Sequence, residues 1–81
     1  MDPICRYTLF GISVFARSHL EALGKFNEKN FVSYKELELF MRELGTRVKF
    51  YSNTRVRTEH IDEFMEDMVQ CGVMQIEPTT R

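Results

Sequence analysis

"SYKELELFMRELG", residues 33–45, holds the strongest local instruction in the chain. Ser33 and Glu36 have the S-x-x-E spacing of a capping box, in which the serine oxygen accepts the N–H three residues on and the glutamate returns to the serine N–H. Leu37, Phe40, Met41 and Leu44 recur at helical spacing, while Lys35, Glu36, Glu38, Arg42 and Glu43 fall on the other side. The spacing predicts a helix that starts at Ser33 and stops at Gly45, a residue that takes the left-handed C-terminal position at little cost. A helix with one apolar stripe must bury it against a neighbour, so the flanking segments decide the architecture.

Toward the C-terminus, "RVKFYSNTRVR" (47–57) is open to two readings. Val48, Phe50 and Val56 alternate with charged residues, as in a hairpin around Ser52 and Asn53, yet the same residues suit an irregular loop. Thr58 is expected to cap a helix whose first turn carries Glu59 and Asp62, favourable at the positive end of the dipole. Ile61, Phe64, Met65, Met68 and Val69 fit i, i+3, i+4, i+7, i+8 without a miss. Gly72 ends that helix, and "VMQIE" (73–77) reads as a strand closed by Pro78, with an irregular tail over 76–81.

Toward the N-terminus, Asp2 followed by Pro3 is a good helix opening. Ile12, Phe15, Ala16, His19, Leu20 and Leu23 then recur at helical spacing, which predicts a helix over 12–25 that begins as early as Pro3. The β-formers and Gly11 of "RYTLFGIS" (6–13) also suit a strand or a kink. "GKFNEKN" (24–30) reads as a polar connector, and "FVS" (31–33) as a short β-prone segment long enough for one small ladder. The expected fold class is α+β and mostly helical, three helices with a small antiparallel sheet, in a single domain over 1–81.

Composition narrows the function. At 81 residues, 43% apolar and 28% charged, the chain has the ordinary globular balance. There is room for one core and one modest surface site, because a chain this small hides only about 60% of its unfolded surface. Cys5 and Cys71 are far apart, with no second Cys or His at ligand spacing, so neither a zinc site nor a disulfide scaffold is indicated and a reducing, intracellular setting is expected. The apolar N-terminal run is interrupted by Arg6 and Arg17, too soon to span a bilayer or to make a secretory signal. No Gly-rich phosphate loop, nucleophile triad or metal cluster is visible, so we expect no enzyme, no cofactor, no metal and no small-molecule substrate. His19 and His60 stand singly and read as structural or surface residues.

The functional signal is charge placement. Arg47, Lys49, Arg55 and Arg57 cluster without an acid among them, although the chain carries 11 Lys and Arg against 12 Asp and Glu and a net charge of −1. Any grip on nucleic acid must therefore be local. Immediately downstream, Glu59, Asp62, Glu63, Glu66 and Asp67 form an acidic helix face that a major groove would repel, which limits DNA contact to the loop and one helical turn. That face, with an edge of Met41, Met65, Met68 and Met74, equally suits a protein partner or a second copy of the chain. Phe50 and Tyr51 beside the cations could stack on unpaired bases, with one of them expected to serve the core.

"FVSYKELELFMRELG" (31–45), then "SNTRVR" (52–57), then "IDEFMEDMVQCGVMQIE" (61–77) together resemble a winged helix domain, of the kind that closes the origin-binding initiator ATPases. The resemblance spans roughly residues 12–77 and rests mostly on hydrophobic pattern. It implies double-stranded DNA as partner, with Ser52, Asn53, Thr54, Arg55 and Arg57 at the duplex and Arg47 and Lys49 on phosphates. In this reading the chain is a small DNA-binding regulator or accessory factor, acting as a homodimer because one copy has little positive surface. "FNEKNFVSYKELELFMRELG" (26–45) also looks like the latter part of a calmodulin-like EF-hand. Its loop is too short and too poor in oxygen ligands for calcium. That second resemblance implies a protein-interaction module without metal.

Overall fold

The computed structural model describes residues 3–29 and 35–79. Six elements follow one another: β1 (Cys5–Leu9), β2 (Ile12–Ala16), α1 (His19–Lys29), α2 (Leu37–Ser52), α3 (Ile61–Gln70) and β3 (Met74–Pro78). Three helices and a three-stranded antiparallel sheet make an α+β fold, as the sequence led us to expect. The order of elements at the N-terminus differs. Where a helix was expected over 12–25, β1 and β2 form a hairpin with Leu9 opposite Ile12. Its two turn residues, Phe10 (φ 49) and Gly11 (φ 82), both have positive φ, the condition for a turn whose twist matches that of the strands. Tyr7 and Leu9 on β1 and Val14 and Ala16 on β2 point into the core, so the period here is two. On the outer face Thr8 and Ser13 share a hydroxyl hydrogen bond of 2.9 Å.

α1 takes in most of the expected connector over 24–30. Ser18 starts it: the Glu21 N–H donates to Ser18 Oγ at 3.1 Å, and the Glu21 carboxylate reaches back to the Arg17 N–H at 2.7 Å. That backbone hydrogen bond, followed by the nearby Lys25 and Arg17 charges, holds the Glu21 carboxyl below its ordinary pKa. Ala22, Leu23, Phe26 and Asn27 face inward. His19 sits edge-on to Tyr7, with the Tyr7 hydroxyl 3.0 Å from His19 Nδ1. Burial, with smaller contributions from Cys5 and Glu21, raises the Tyr7 pKa.

Ser33, its capping box and the "FVS" strand lie outside the described residues. β3 pairs with the central strand β1, Met74 opposite Leu9 and Pro78 opposite Cys5, in a sheet of order β2-β1-β3. The strand expected over 73–77 is thus present as β3, which reaches through Pro78 into the stretch also expected as a tail (76–81), and the Thr79 N–H continues it by donating to the Ile4 carbonyl at 3.1 Å. Both sheet edges are blunted: Lys25 Nζ donates to the Phe15 carbonyl on β2 at 2.6 Å, and Pro78 has no N–H to offer on β3.

α2 does not stop at Gly45. It runs on for two more turns and buries Val48 beside Phe40, Met41 and Leu44. Its end is Asn53, in the left-handed conformation (φ 56, ψ 29), with its N–H on the Lys49 carbonyl at 2.9 Å. The hairpin reading of 47–57 is thereby overturned; residues 47–52 are helical and 54–58 form an irregular connection. Nor does Thr58 cap α3, since His60 occupies the N-cap position and makes no side-chain cap bond. The far end of α3 meets expectation: Gly72 (φ 89) donates to the Val69 carbonyl and Val73 to that of Met68, a Schellman closure. Phe64, Met65 and Met68 of α3 join Leu23, Phe40, Leu44 and Met74 in one core.

Candidate nucleic-acid interface

The expected basic loop is split between two elements. Arg47 and Lys49 ride on α2, while Arg55 and Arg57 ride on the connection 54–58, with Val56 between them plugged into the core. Arg57 is clasped by acid. Its Nε and Nη2 donate to Asp67 Oδ2 and Oδ1, both at 2.9 Å, its backbone N–H donates to the same Oδ2, and Glu66 and Glu63 lie at 3.5 and 3.7 Å. A planar guanidinium meeting a carboxylate with two parallel bonds is the strong geometry for such a pair. These side-chain bonds, then the backbone bond, then Coulomb attraction hold the Asp67 carboxyl at about 2 and raise the Arg57 pKa.

Arg47 is engaged too, with Nε 2.8 Å from Glu43 Oε2. The hydroxyls expected at a duplex are turned on the backbone: Ser52 Oγ donates to the Val48 carbonyl at 2.9 Å and Thr54 Oγ1 to that of Ser52 at 3.2 Å. Lys49, Asn53 and Arg55 remain exposed. Among the described residues neither Lys49 nor Arg55 has a carboxylate within ion-pair distance.

Those two cations converge. Arg42, Thr46 and Lys49 of α2 and Arg55 and Thr58 of the connection line a groove of about 220 Å³ floored by Gly45 and Val56. It exists because a glycine lets the connection approach the helix: a Cβ at position 45 would stand 3.0 Å from Thr58 Cγ2. Arg42 shares its charge with Glu38 at 3.3 Å, but both side chains are 64% exposed, a pair that water and salt loosen easily. A second open groove, lined by Thr46, Lys49, Phe50 and Asn53, continues the first past Lys49. No carboxylate is among the described residues lining either groove. Arg42, Thr46 and Thr58 were not among the contact residues expected from the sequence; the signal was the i, i+4, i+7 row of Arg42, Thr46 and Lys49, hidden by the expected stop at Gly45.

The two aromatics depart from expectation in a telling way. Neither serves the core, since Phe50 is 86% and Tyr51 77% exposed. Tyr51 leans on Phe10 of the hairpin turn, ring centres 5.1 Å apart.

The acidic face is divided as well. Glu63, Glu66 and Asp67 surround Arg57, while Asp62 and the pre-helical Glu59 do not pair among the described residues. Met41, Met65, Met68 and Met74 are all buried and leave no methionine edge. Cys5 and Cys71 are free thiols, and among the described residues no three His, Cys, Asp or Glu side chains gather as a metal site. Among the same residues no helix is long and apolar enough to cross a membrane. No family model, curated protein or solved structure matches the chain.

Proposed function

We propose that this chain is a small non-enzymatic nucleic-acid-binding domain, an accessory factor or regulator that grips phosphates along α2 and the connection 54–58. One observation carries the reading: in a chain of net charge −1, Lys49 and Arg55 make no ion pair among the described residues and line one groove with Arg42. Thr58 and Asn53 supply hydrogen-bond donors beside these cations, the combination that positions a phosphate backbone, while the Thr46 hydroxyl donates to the Arg42 carbonyl at 3.2 Å. The resemblance to winged helix domains enters only through Asn53 and Arg55, since Arg57 is held by Asp67. A protein-interaction role through the acidic face is the weaker reading, because three of its five carboxylates converge on Arg57.

Fluorescence anisotropy of labelled oligonucleotides against salt tests this. Three phosphate contacts per chain give a log–log slope of about −2.7 on duplex and about −2 on single strands. A slope near twice that would count two copies on the DNA. Lys49→Ala with Arg55→Ala should weaken binding and flatten the slope by about one unit per lost contact. If neither duplex nor single strand binds at ~50 mM salt, where non-specific association is strongest, the nucleic-acid reading is wrong.

A further inference from the structure

We infer that the ligand of this surface is an unpaired strand, whose bases stack on Phe50 and Tyr51 while its phosphates lie along Arg42, Lys49 and Arg55. The inference rests on the nucleic-acid reading above and specifies its substrate. Two neighbouring aromatic rings left 86% and 77% in water carry a solvation cost that the fold does not recover, because neither packs into the core. Phe50 lines the same groove as Lys49, so a ring and a cation present themselves together to one ligand, while Tyr51, next along α2, lines an adjoining groove with Phe10 and Gly11.

Tyr51 has one ring neighbour among the described residues. Phe10 supports it at 5.1 Å, and Phe10 does so from a left-handed backbone position (φ 49) that bulky residues rarely occupy.

A cationic track beside open aromatic faces is the chemistry of single-strand recognition, since every base offers a π-face and stacking tolerates sequence. A closed duplex has its base faces already stacked and can offer such rings only its backbone. An apolar protein surface could also cover Phe50 and Tyr51, but it would leave Lys49 and Arg55 facing it without counter-charge. An anionic lipid surface supplies charge but no flat partner for the rings.

The chain has no tryptophan, so Phe50→Trp introduces a single reporter. The experiment titrates this variant, the unaltered chain, Phe50→Ala and Tyr51→Ala with oligothymidylate, a hairpin duplex of equal phosphate number, and phosphatidylserine vesicles at ~50 mM salt. Oligothymidylate should bind more tightly than the duplex and quench the reporter. Phe50→Ala should weaken that binding about tenfold or more with an unchanged salt slope, because stacking releases no counterions. Lys49→Ala does the opposite and flattens the slope.

Duplex binding as tight as strand binding, or Phe50→Ala indistinguishable from the parent, overturns the inference and leaves the nucleic-acid reading standing. A reporter that answers vesicles and ignores oligothymidylate overturns it in favour of a lipid surface. Absence of binding to either nucleic acid removes the broader reading itself.

Discussion

Gly45→Ala tests the close approach on which the groove depends. Gly45 lies inside α2, not at a left-handed stop, so alanine gains about 1 kcal/mol of helix propensity there. Against this, the new Cβ would meet Thr58 Cγ2 at 3.0 Å, where carbon contacts prefer about 3.5–4.0 Å. Thr58 is short and β-branched, hence stiff at χ1, and it follows a residue pinned to Asp67. Forcing a methyl into such a place costs about 1–3 kcal/mol, so the single variant should lose about 0–2 kcal/mol. Thr58→Ser removes the opposing methyl, and the next neighbour, Val56 Cγ2 at 3.5 Å, is at ordinary contact distance. In that background Gly45→Ala should instead stabilise by about 1 kcal/mol. Thermal unfolding by circular dichroism resolves the difference, because 1 kcal/mol moves the Tm of a domain this size by about 4–8 °C. Equal stabilisation in both backgrounds would show that the connection does not lie against α2. Equal destabilisation of about 1–2 kcal/mol in both would put Gly45 in a left-handed position, the helix stop expected from sequence.

Two further outcomes follow from the helix end and from the Arg57 clasp. Asn53→Ala should cost about 1 kcal/mol in urea unfolding, because alanine tolerates the left-handed cap less well, while Asn53→Gly should be neutral or slightly stabilising. If Ala and Gly are equivalent there, α2 does not end in a left-handed residue. The Asp67 carboxyl sits at about 2 when folded, against 3.8 ordinarily, so its stabilising effect is present above about pH 4 and lost as the pH falls towards 2. The gap in urea midpoint between the parent and Asp67→Asn should hold constant at pH 5–7 and close between pH 4 and 2. A gap that does not narrow there would remove the clasp from the stability of the fold.

What the sequence discloses here depends on how far each signal travels along the chain. The inner stripes of α2 and α3, the Gly72 closure and β3 are set by neighbours within a turn or two, and local spacing finds them. The hairpin escaped because Ile12, Phe15, Ala16 and His19 happen to satisfy helical spacing, while the alternation of Tyr7 with Leu9 and of Val14 with Ala16 is divided by a Phe-Gly turn in place of the usual Asn-Gly. The S-x-x-E signature read at Ser33 also occurs at Ser18 to Glu21, where the fold uses it. Gly45 reads locally as a stop, yet burying Val48 and leaving room for Thr58 favour continuing the helix through it. The basic cluster was legible as charge but not as geometry, because the partner that claims Arg57 sits on a different element.

That partner changes what a net charge of −1 means. At ~0.1 M salt, charges act over about 10 Å, so bare carboxylates on the neighbouring helix would weaken any positive field over α2. Arg57 answers three of them in place, its guanidinium on Asp67 with Glu63 and Glu66 alongside. The backbone N–H of the same residue on Asp67 fixes the connection against α3, and Val56 fixes it against the core. Arg55, immediately ahead of these two anchors, lines the groove with Lys49. On the proposed reading, the arginine least available to phosphate is therefore the one that would make a phosphate site on this surface electrostatically tenable, and its removal would expose three carboxylates rather than subtract one contact.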